Sequence, residues 1–435
     1  MNLDVLIAGG GIAGLTCGIA CARSGLETAV VSSGMSALHF SSGCIDLLGH
    51  HPGRRVVTSP FQALEDFIAL HPRHPYAACG VETVRRALGF FQEEMAAQGH
   101  SMNDNGDLNH FHLTALGTVK PTYFSPVGMY DSRVEEAFQR RQKVALLTFA
   151  GFRDFYPELA AANLARHPLF ADCEITTGSV RLAAFDGSER NPGEFRSIDM
   201  ARLFDADNHI EDVARQINRL ARGADFAVLP AFLGINDYAA AHARLQEMCA
   251  PVVYEVPTLP PSLIGMRLEA ALKARFAKVG GIFIAGDKVV RGRLASGRVS
   301  HVLTRANRTE PVCAKTCVLA TGSFFSGGIS SEFNRMHEPV FGLQMDYDLP
   351  RKQWYADRFL SPRGHPYMAY GVRVDNELRP TGPDGETVEN LFCAGAVLSG
   401  YNPVQEGSGS GVAIATGYHA AGQAIRTCGA GNQTP

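Results

Sequence analysis

The glycine turn in Asp4-Val-Leu-Ile-Ala-Gly9-Gly10-Gly11-Ile-Ala13-Gly14-Leu15 constrains this chain more than any other stretch. Val5 to Ala8 read as a short buried strand, Leu15 to Ser24 as a small-residue helix and Glu27 to Val31 as a second strand, a complete βαβ opening. The first glycine permits a tight turn, the second lets backbone approach a phosphate, and the third lets helix and strand pack closely. The turn's N–H groups and the positive end of the helix dipole then favour an anion. A ligand-free structural turn is the plainer alternative. Strand, turn, helix and strand in this order nevertheless point to a nucleotide phosphate held by Gly9, Gly10, Gly11, Ala13 and Gly14.

The next landmark departs from the dinucleotide pattern. Asp or Glu at the end of the second strand ordinarily holds a ribose hydroxyl pair. Here the strand ends Val30-Val31-Ser32-Ser33-Gly34, with neither a carboxylate nor an arginine for a 2′-phosphate. Ser32 and Ser33 can hydrogen-bond a sugar or phosphate, or merely cap the following turn. The adenosine half of a dinucleotide has a poor seat, whereas FMN, ending in a single phosphate, needs none.

A chain of 435 residues buries a large core and suggests two or three domains. Its 46% apolar content, 19% charge and 45 glycines fit a compact α/β enzyme. Net charge −3 points to no nucleic acid and no anionic membrane surface. No apolar run has the length of a spanning helix, and strand one begins at the N-terminus, which predicts no signal peptide. The ten cysteines show no CxxC and no iron–sulfur or zinc spacing, so buried free thiols are expected and no metal site.

Nucleotide-domain patterns recur at both ends of the chain. Residues 251–325 read as a helix (Ser262 to Val279), a strand (Gly281 to Ala285), a β ribbon (Asp287 to Thr304) and an apolar strand ending Ala320-Thr321-Gly322. Residues 388–428 read as strand Leu391 to Ala394, the turn at Gly395 and a helix from Gly411 to Arg426. With 1–54 these pieces predict one discontinuous Rossmann-like FAD/NAD(P)-binding α/β domain with a central parallel sheet. Residues 55–250 alternate strands and helices of their own and predict an inserted α/β cap. Residues 326–387 form a smaller substrate-side insertion rich in aromatics and arginine, and 429–435 a frayed tail.

The Ala-Thr-Gly turn and the closing Glu406-Gly407-Ser-Gly409-Ser-Gly411 resemble two-dinucleotide-domain flavoproteins, whose last helix points its positive end at the flavin. The acid that such proteins carry after the glycine corresponding to Gly395 is replaced by Ala396. Three phrases sharpen the likeness: Ser36-Ala-Leu-His-Phe-Ser-Ser-Gly43, Thr258-Leu-Pro-Pro-Ser-Leu-Ile-Gly265-Met-Arg267-Leu, and Leu319-Ala-Thr-Gly-Ser-Phe-Phe-Ser-Gly-Gly328. Through nearly its whole length the chain resembles the B-subunit family of anaerobic glycerol-3-phosphate dehydrogenases. That resemblance implies an FMN subunit that works with a catalytic FAD subunit, while an iron–sulfur subunit anchors both to the cytoplasmic face of the inner membrane. It further implies oxidation of sn-glycerol 3-phosphate to dihydroxyacetone phosphate, with electrons passing to quinone and so to fumarate or nitrate.

Within that picture Ser41, Ser42 and Gly43 suit the edge of the flavin ring, with Gly322, Ser323, Gly395 and Gly407 as further cofactor contacts. His39 reads either as a proton donor or as packing beside Phe40. A phosphate-bearing substrate wants arginine, and Arg267, or Arg373 with His365, are the candidates. Each has a structural alternative: an exposed helix charge for Arg267, a sheet-edge ion pair for Arg373. Two competing functions remain, a stand-alone FAD-dependent oxidoreductase of the fumarate-reductase-like group and a non-catalytic scaffold that kept a flavoprotein fold.

Overall fold

The computed structural model describes residues 2–53, 55–132, 142–183, 194–206 and 209–429. The predicted tail lies outside the described residues from position 430 on. Strand β1 (Asn2–Ala8) runs through the glycine turn into helix α1 (Ile12–Arg23) and strand β2 (Thr28–Ser32). Helices α2 (Pro60–Leu70) and α3 (Val81–Ala96) follow. An alternating stretch comes next: β3 (Lys143–Phe149), α4 (Pro157–Leu164), β4 (Glu174–Val180), α5 (Ser197–Ala206), α6 (Ile210–Leu220), β5 (Phe226–Pro230), α7 (Tyr238–Met248) and β6 (Val252–Val256). The rest comprises α8 (Leu263–Lys278), β7 (Ile282–Ala285), the ribbon β8 (Val289–Ala295) and β9 (Arg298–Thr304), β10 (Cys313–Leu319), β11 (Leu391–Cys393) and α9 (Gly409–Thr427).

These elements form two units. The first comprises residues 1–37, 46–98 and 271–435. Its five-stranded sheet has the order β7-β2-β1-β10-β11, parallel throughout. Val5, Leu6 and Ile7 of β1 are 0%, 2% and 0% exposed, as a central parallel strand covered on both faces requires. Helices α1 and α9 cross so closely that a Cβ on Gly417 would stand 2.4 Å from the Ala13 carbonyl oxygen. The α/β Rossmann-like sheet with its β ribbon is the fold read from the sequence.

The second unit comprises residues 38–45 and 99–270. Its four-stranded sheet, β6-β5-β3-β4, is also parallel. Helix α6 buries Ile210, Val213, Ala214 and Ile217, the i, i+3, i+4, i+7 stripe of a helix lying on a sheet. The Phe149 and Phe232 rings meet at 4.9 Å in its core.

The unit boundaries differ from the predicted 55–250 insert at both ends. Residues 55–98 lie in the first unit, because α3 packs on α9, with Phe90 5.2 Å from Tyr418. Buried Glu94 of α3 also accepts from Arg23 of α1 and, at 2.5 Å, from Arg275 of α8. Residues 251–270 lie in the second unit, because β6 completes its sheet. All ten cysteines are free thiols, seven of them buried.

Candidate functional site

The glycine turn is built to admit backbone and no side chains, save at one position. Gly9 leaves β1 with φ +120°, and a Cβ there would sit 2.1 Å from the Ala320 carbonyl oxygen at the end of β10. A Cβ on Gly14 would meet the Gly9 carbonyl at 1.9 Å. Around Gly11 nothing lies within 4 Å of that place. Gly11 is the N-cap of α1, no side chain caps the helix, and its first turn carries no acid. Open space, unspent N–H groups and the positive end of a helix therefore coincide at Gly11, which is what an anionic phosphate requires. A flavin phosphate fits this cradle.

Ser32 ends β2 against the turn: a Cβ on Gly10 would lie 2.7 Å from its Oγ. Its hydroxyl donates to the Gly34 carbonyl at 3.3 Å, and Ser33 is exposed. In the same unit Gly322 follows β10, and Ser323 caps a short turn, its carbonyl accepting from Ser326 and Gly328 N–H at 3.1 Å each. Gly395 follows β11 and donates its N–H to Thr416 Oγ1 of α9 at 2.9 Å. Ala396 is exposed. Helix α9 has no side-chain cap and no acid in its first turn. Glu406, just upstream, accepts from the Asn402 N–H (2.8 Å) and the Ser408 hydroxyl (2.7 Å) and pairs with His74 Nε2 (3.2 Å). Gly407 accepts from the Gly49 N–H at 3.0 Å, and the Gly411 N–H is taken by the Asp46 carbonyl at 2.9 Å.

The second unit holds the segment 38–45. Its serines lock turns: Ser41 Oγ donates to the Leu38 carbonyl (2.9 Å) and accepts from the Gly43 N–H (3.2 Å), while Ser42 Oγ accepts from the Cys44 N–H (3.3 Å). His39 is 8% exposed, its Nε2 lies 2.5 Å from Glu269 Oε2 of α8, and its Nδ1 has no hydrogen-bond partner among the described residues. A carboxylate on Nε2 fixes the orientation of the ring.

Arg267 is not an exposed helix charge. It is 2% exposed, donates to Glu255 Oε2 at 2.5 Å and to the Gly234 carbonyl at 2.9 Å, and also bonds the Leu233 carbonyl. Its guanidinium stands 4.6 Å from the Tyr238 ring centre. Burial would push the Glu255 carboxyl up, but the Arg267 charge and hydrogen bonds, with the Phe232 N–H, hold it below its ordinary value. Neighbouring His100 is driven down to about 3 by burial and by Arg267, so it is neutral. With every direction of its fork engaged, Arg267 has nothing left for a substrate phosphate.

The other two substrate candidates are likewise occupied. Arg373 pairs with Asp346 through both Nε (2.8 Å) and a terminal nitrogen, the sheet-edge ion pair that was the structural alternative. His365 accepts from the Ala356 N–H at Nδ1 (3.1 Å) and bonds the Phe359 carbonyl through Nε2 (2.8 Å). Glu269 and Glu255 were missed in the sequence, since nothing local links them to His39 and Arg267. Among the described residues no helix is long and apolar enough to cross a membrane, and no cluster of three potential metal ligands occurs.

Residues 4–412 match the family described as FAD binding domain. The chain is 41% identical over 432 residues to the anaerobic glycerol-3-phosphate dehydrogenase B-subunit of Aliivibrio fischeri (strain ATCC 700601 / ES114), covering 97% of this chain and 95% of that protein. It is 39% identical over 428 residues to the protein of that name from Vibrio cholerae serotype O1 (El Tor Inaba N16961), covering 98% and 97%. Among solved structures, 3-ketosteroid delta1-dehydrogenase from Sterolibacterium denitrificans is similar with a TM-score of 0.43 and 10% identity, covering 99% of this chain and 100% of that one.

Proposed function

The chain belongs to the B-subunit family of anaerobic glycerol-3-phosphate dehydrogenases, with an FAD binding domain over residues 4–412, and from this we propose that it is the flavin subunit of a multisubunit dehydrogenase. The reaction is oxidation of sn-glycerol 3-phosphate to dihydroxyacetone phosphate, with electrons delivered to quinone. The partners are a catalytic FAD subunit and an iron–sulfur anchor that holds the complex at the cytoplasmic face of the cell membrane. The observation that carries the reading is the uncapped, unobstructed N-terminus of α1 at Gly11.

A bound flavin supplies a two-electron acceptor for alcohol oxidation. The chain's own contributions are the phosphate cradle, the turn-locked segment Ser41 to Gly43, and His39 as the group that moves a proton. Glu269 positions the His39 ring through Nε2. Replacing His39 by Gln is expected to lower turnover about 100-fold, the scale of a lost acid–base group. Glu269→Gln, which keeps a partner at Nε2, should cost less. Co-expression with the FAD and iron–sulfur subunits and glycerol-3-phosphate-dependent dye reduction measure both. Activity of the partners that is indifferent to this chain would sink the assignment.

The flavin is FMN in this reading. Ser32 lies against the turn where a ribose-binding acid is expected, and Ala396 stands where a second acid is expected. The family description favours FAD. Acid release of the flavin from the purified chain, resolved by chromatography, separates them: FMN is the expected product. FAD at one equivalent would overturn the mononucleotide and leave the cradle's role intact.

A further inference from the structure

Taking sn-glycerol 3-phosphate as the substrate, as proposed above, we infer that Arg153 and Arg196 bind its phosphate and that buried Asp154 accepts from one of its hydroxyls. The three residues stand at the carboxyl end of the second unit's parallel sheet. Its strand order, β6-β5-β3-β4, makes the gap between β3 and β5 a switch point: the chain leaving β3 turns towards β4, and the chain leaving β5 towards β6. In open α/β sheets that gap, outside the carboxyl ends, is where ligands bind. The loop leaving β5 is already closed, because Arg267 bonds the Leu233 and Gly234 carbonyls. The loop leaving β3 carries Arg153 and Asp154.

A second segment lies beside that loop. The Phe195 N–H donates to the Gly151 carbonyl at 3.2 Å and the Arg153 N–H to the Phe195 carbonyl at 3.1 Å, which sets Arg196 alongside. Arg153 and Arg196 are exposed, and neither guanidinium donates a hydrogen bond to any described residue. Asp154 is only 8% exposed, yet its carboxylate accepts no hydrogen bond from any described residue. Arg153 Nε stands 3.5 Å from its Oδ1, whereas the structural pair of Arg267 and Glu255 closes to 2.5 Å. Burial pushes the Asp154 carboxyl above its ordinary value, against the Arg153 and Arg196 charges. A buried carboxylate left without donors costs stability, and a hydroxyl donor would relieve it.

Two free guanidiniums beside an acceptor match a ligand that joins a phosphate to a hydroxyl group. The neighbouring acid Asp199 is engaged at the start of α5, where it accepts from the Arg196 N–H at 3.1 Å. His39 belongs to the same end of the sheet. Ser197, next to Arg196, shares a hydrogen bond of 2.9 Å with Thr258, just beyond β6. Ser262, in the segment that follows, donates its N–H to the His39 carbonyl at 2.8 Å. One set of loops therefore holds the phosphate subsite and the group that moves a proton.

Equilibrium dialysis of the purified, flavin-loaded chain tests the subsite with two probes, sn-glycerol 3-phosphate and inorganic phosphate. Arg153→Ser and Arg196→Ser should each weaken glycerol 3-phosphate at least about tenfold, the scale of a lost charge-assisted hydrogen bond. Asp154→Ala should weaken glycerol 3-phosphate about tenfold and leave inorganic phosphate no weaker, since an anion is removed. Its melting temperature should stay level or rise. Arg222→Ser, which removes an exposed charge before the amino end of β5, should bind both probes as the wild type does. A wild-type chain that binds no glycerol 3-phosphate, or a double arginine variant that binds it normally, overturns the subsite. A lower melting temperature for Asp154→Ala would make that carboxylate a structural group. Dye reduction by the wild-type complex tests the functional reading separately. If the complex needs this chain but keeps its KM when both arginines are replaced, that reading stands and the subsite is wrong.

Discussion

Arg267→Met is expected to destabilise the second unit by about 3–5 kcal/mol, the scale of a buried ion pair broken on one side. The melting temperature should fall on the order of 10 °C. Glu255 is 0% exposed in the middle of β6, and its Oε1 accepts from the Phe232 and Leu233 N–H groups at 2.9 and 3.2 Å. Without the guanidinium, those two hydrogen bonds must hold an anion out of water by themselves. The pH dependence gives a second signature. In the wild type the folded-state pKa of Glu255 is depressed, so its stabilisation is present above the unfolded value of 4.5 and is lost as pH falls through the lower folded value. In the variant burial is no longer outweighed, and the carboxyl takes up a proton on folding. The deficit should then be small near pH 4 and full at pH 7. Arg267→Met combined with Glu255→Gln should recover much of the loss, since the amide oxygen still accepts from the two N–H groups. A melting curve for the single variant that overlays the wild type at neutral pH would show that the pair is not what holds β6 in place. In the double variant, an unchanged KM for glycerol 3-phosphate is expected of an arginine that pins structure.

This pair also shows where sequence reading stops. β1, α1 and β2 were legible because each element is strongly patterned and the glycines punctuate them. The same holds for α8 and for β10, whose apolar run ends in a glycine turn. β6 was not legible: Val252-Val-Tyr-Glu-Val256 carries a charge at a position that is fully buried. A buried glutamate is admissible only with a partner, and that partner lies on a helix that begins after the strand. Helices α2 and α3 went unread for a related reason. α3 buries Glu94, whose partners Arg23 and Arg275 come from distant parts of the chain. In the candidate site the local element, the glycine turn from Gly9 to Gly14 that opens α1, could be read. Its long-range counterparts could not: the carboxylate on His39 lies 230 positions away. Arg267, Arg373 and His365 have the residue types that bind phosphate, but their availability depends on neighbours that only folding brings up.

Gly11→Glu should leave the fold intact and strip the flavin. Gly11 has φ −86°, open to any residue, and a Cβ there meets nothing within 4 Å. A carboxylate at the N-cap of α1 also interacts favourably with the helix dipole, so the melting temperature of the flavin-free chain should stay level or rise slightly. The same carboxylate sits where the phosphate must come, and it competes for the same N–H groups with like charge. Such a juxtaposition costs several kcal/mol, which lowers flavin affinity at least about 100-fold. Gly11→Ala is the neutral control, adding a methyl to empty space without charge, and should retain most of the flavin. Gly14→Ala cannot serve, because its Cβ would collide with the Gly9 carbonyl and any flavin loss would follow from a damaged turn. Flavin absorbance per chain and the melting temperature, measured together, read the outcome. A Gly11→Glu chain that folds normally and keeps its full flavin would place the phosphate somewhere other than the N-terminus of α1, and Ser32 and Ala396 would then say nothing about which flavin is bound.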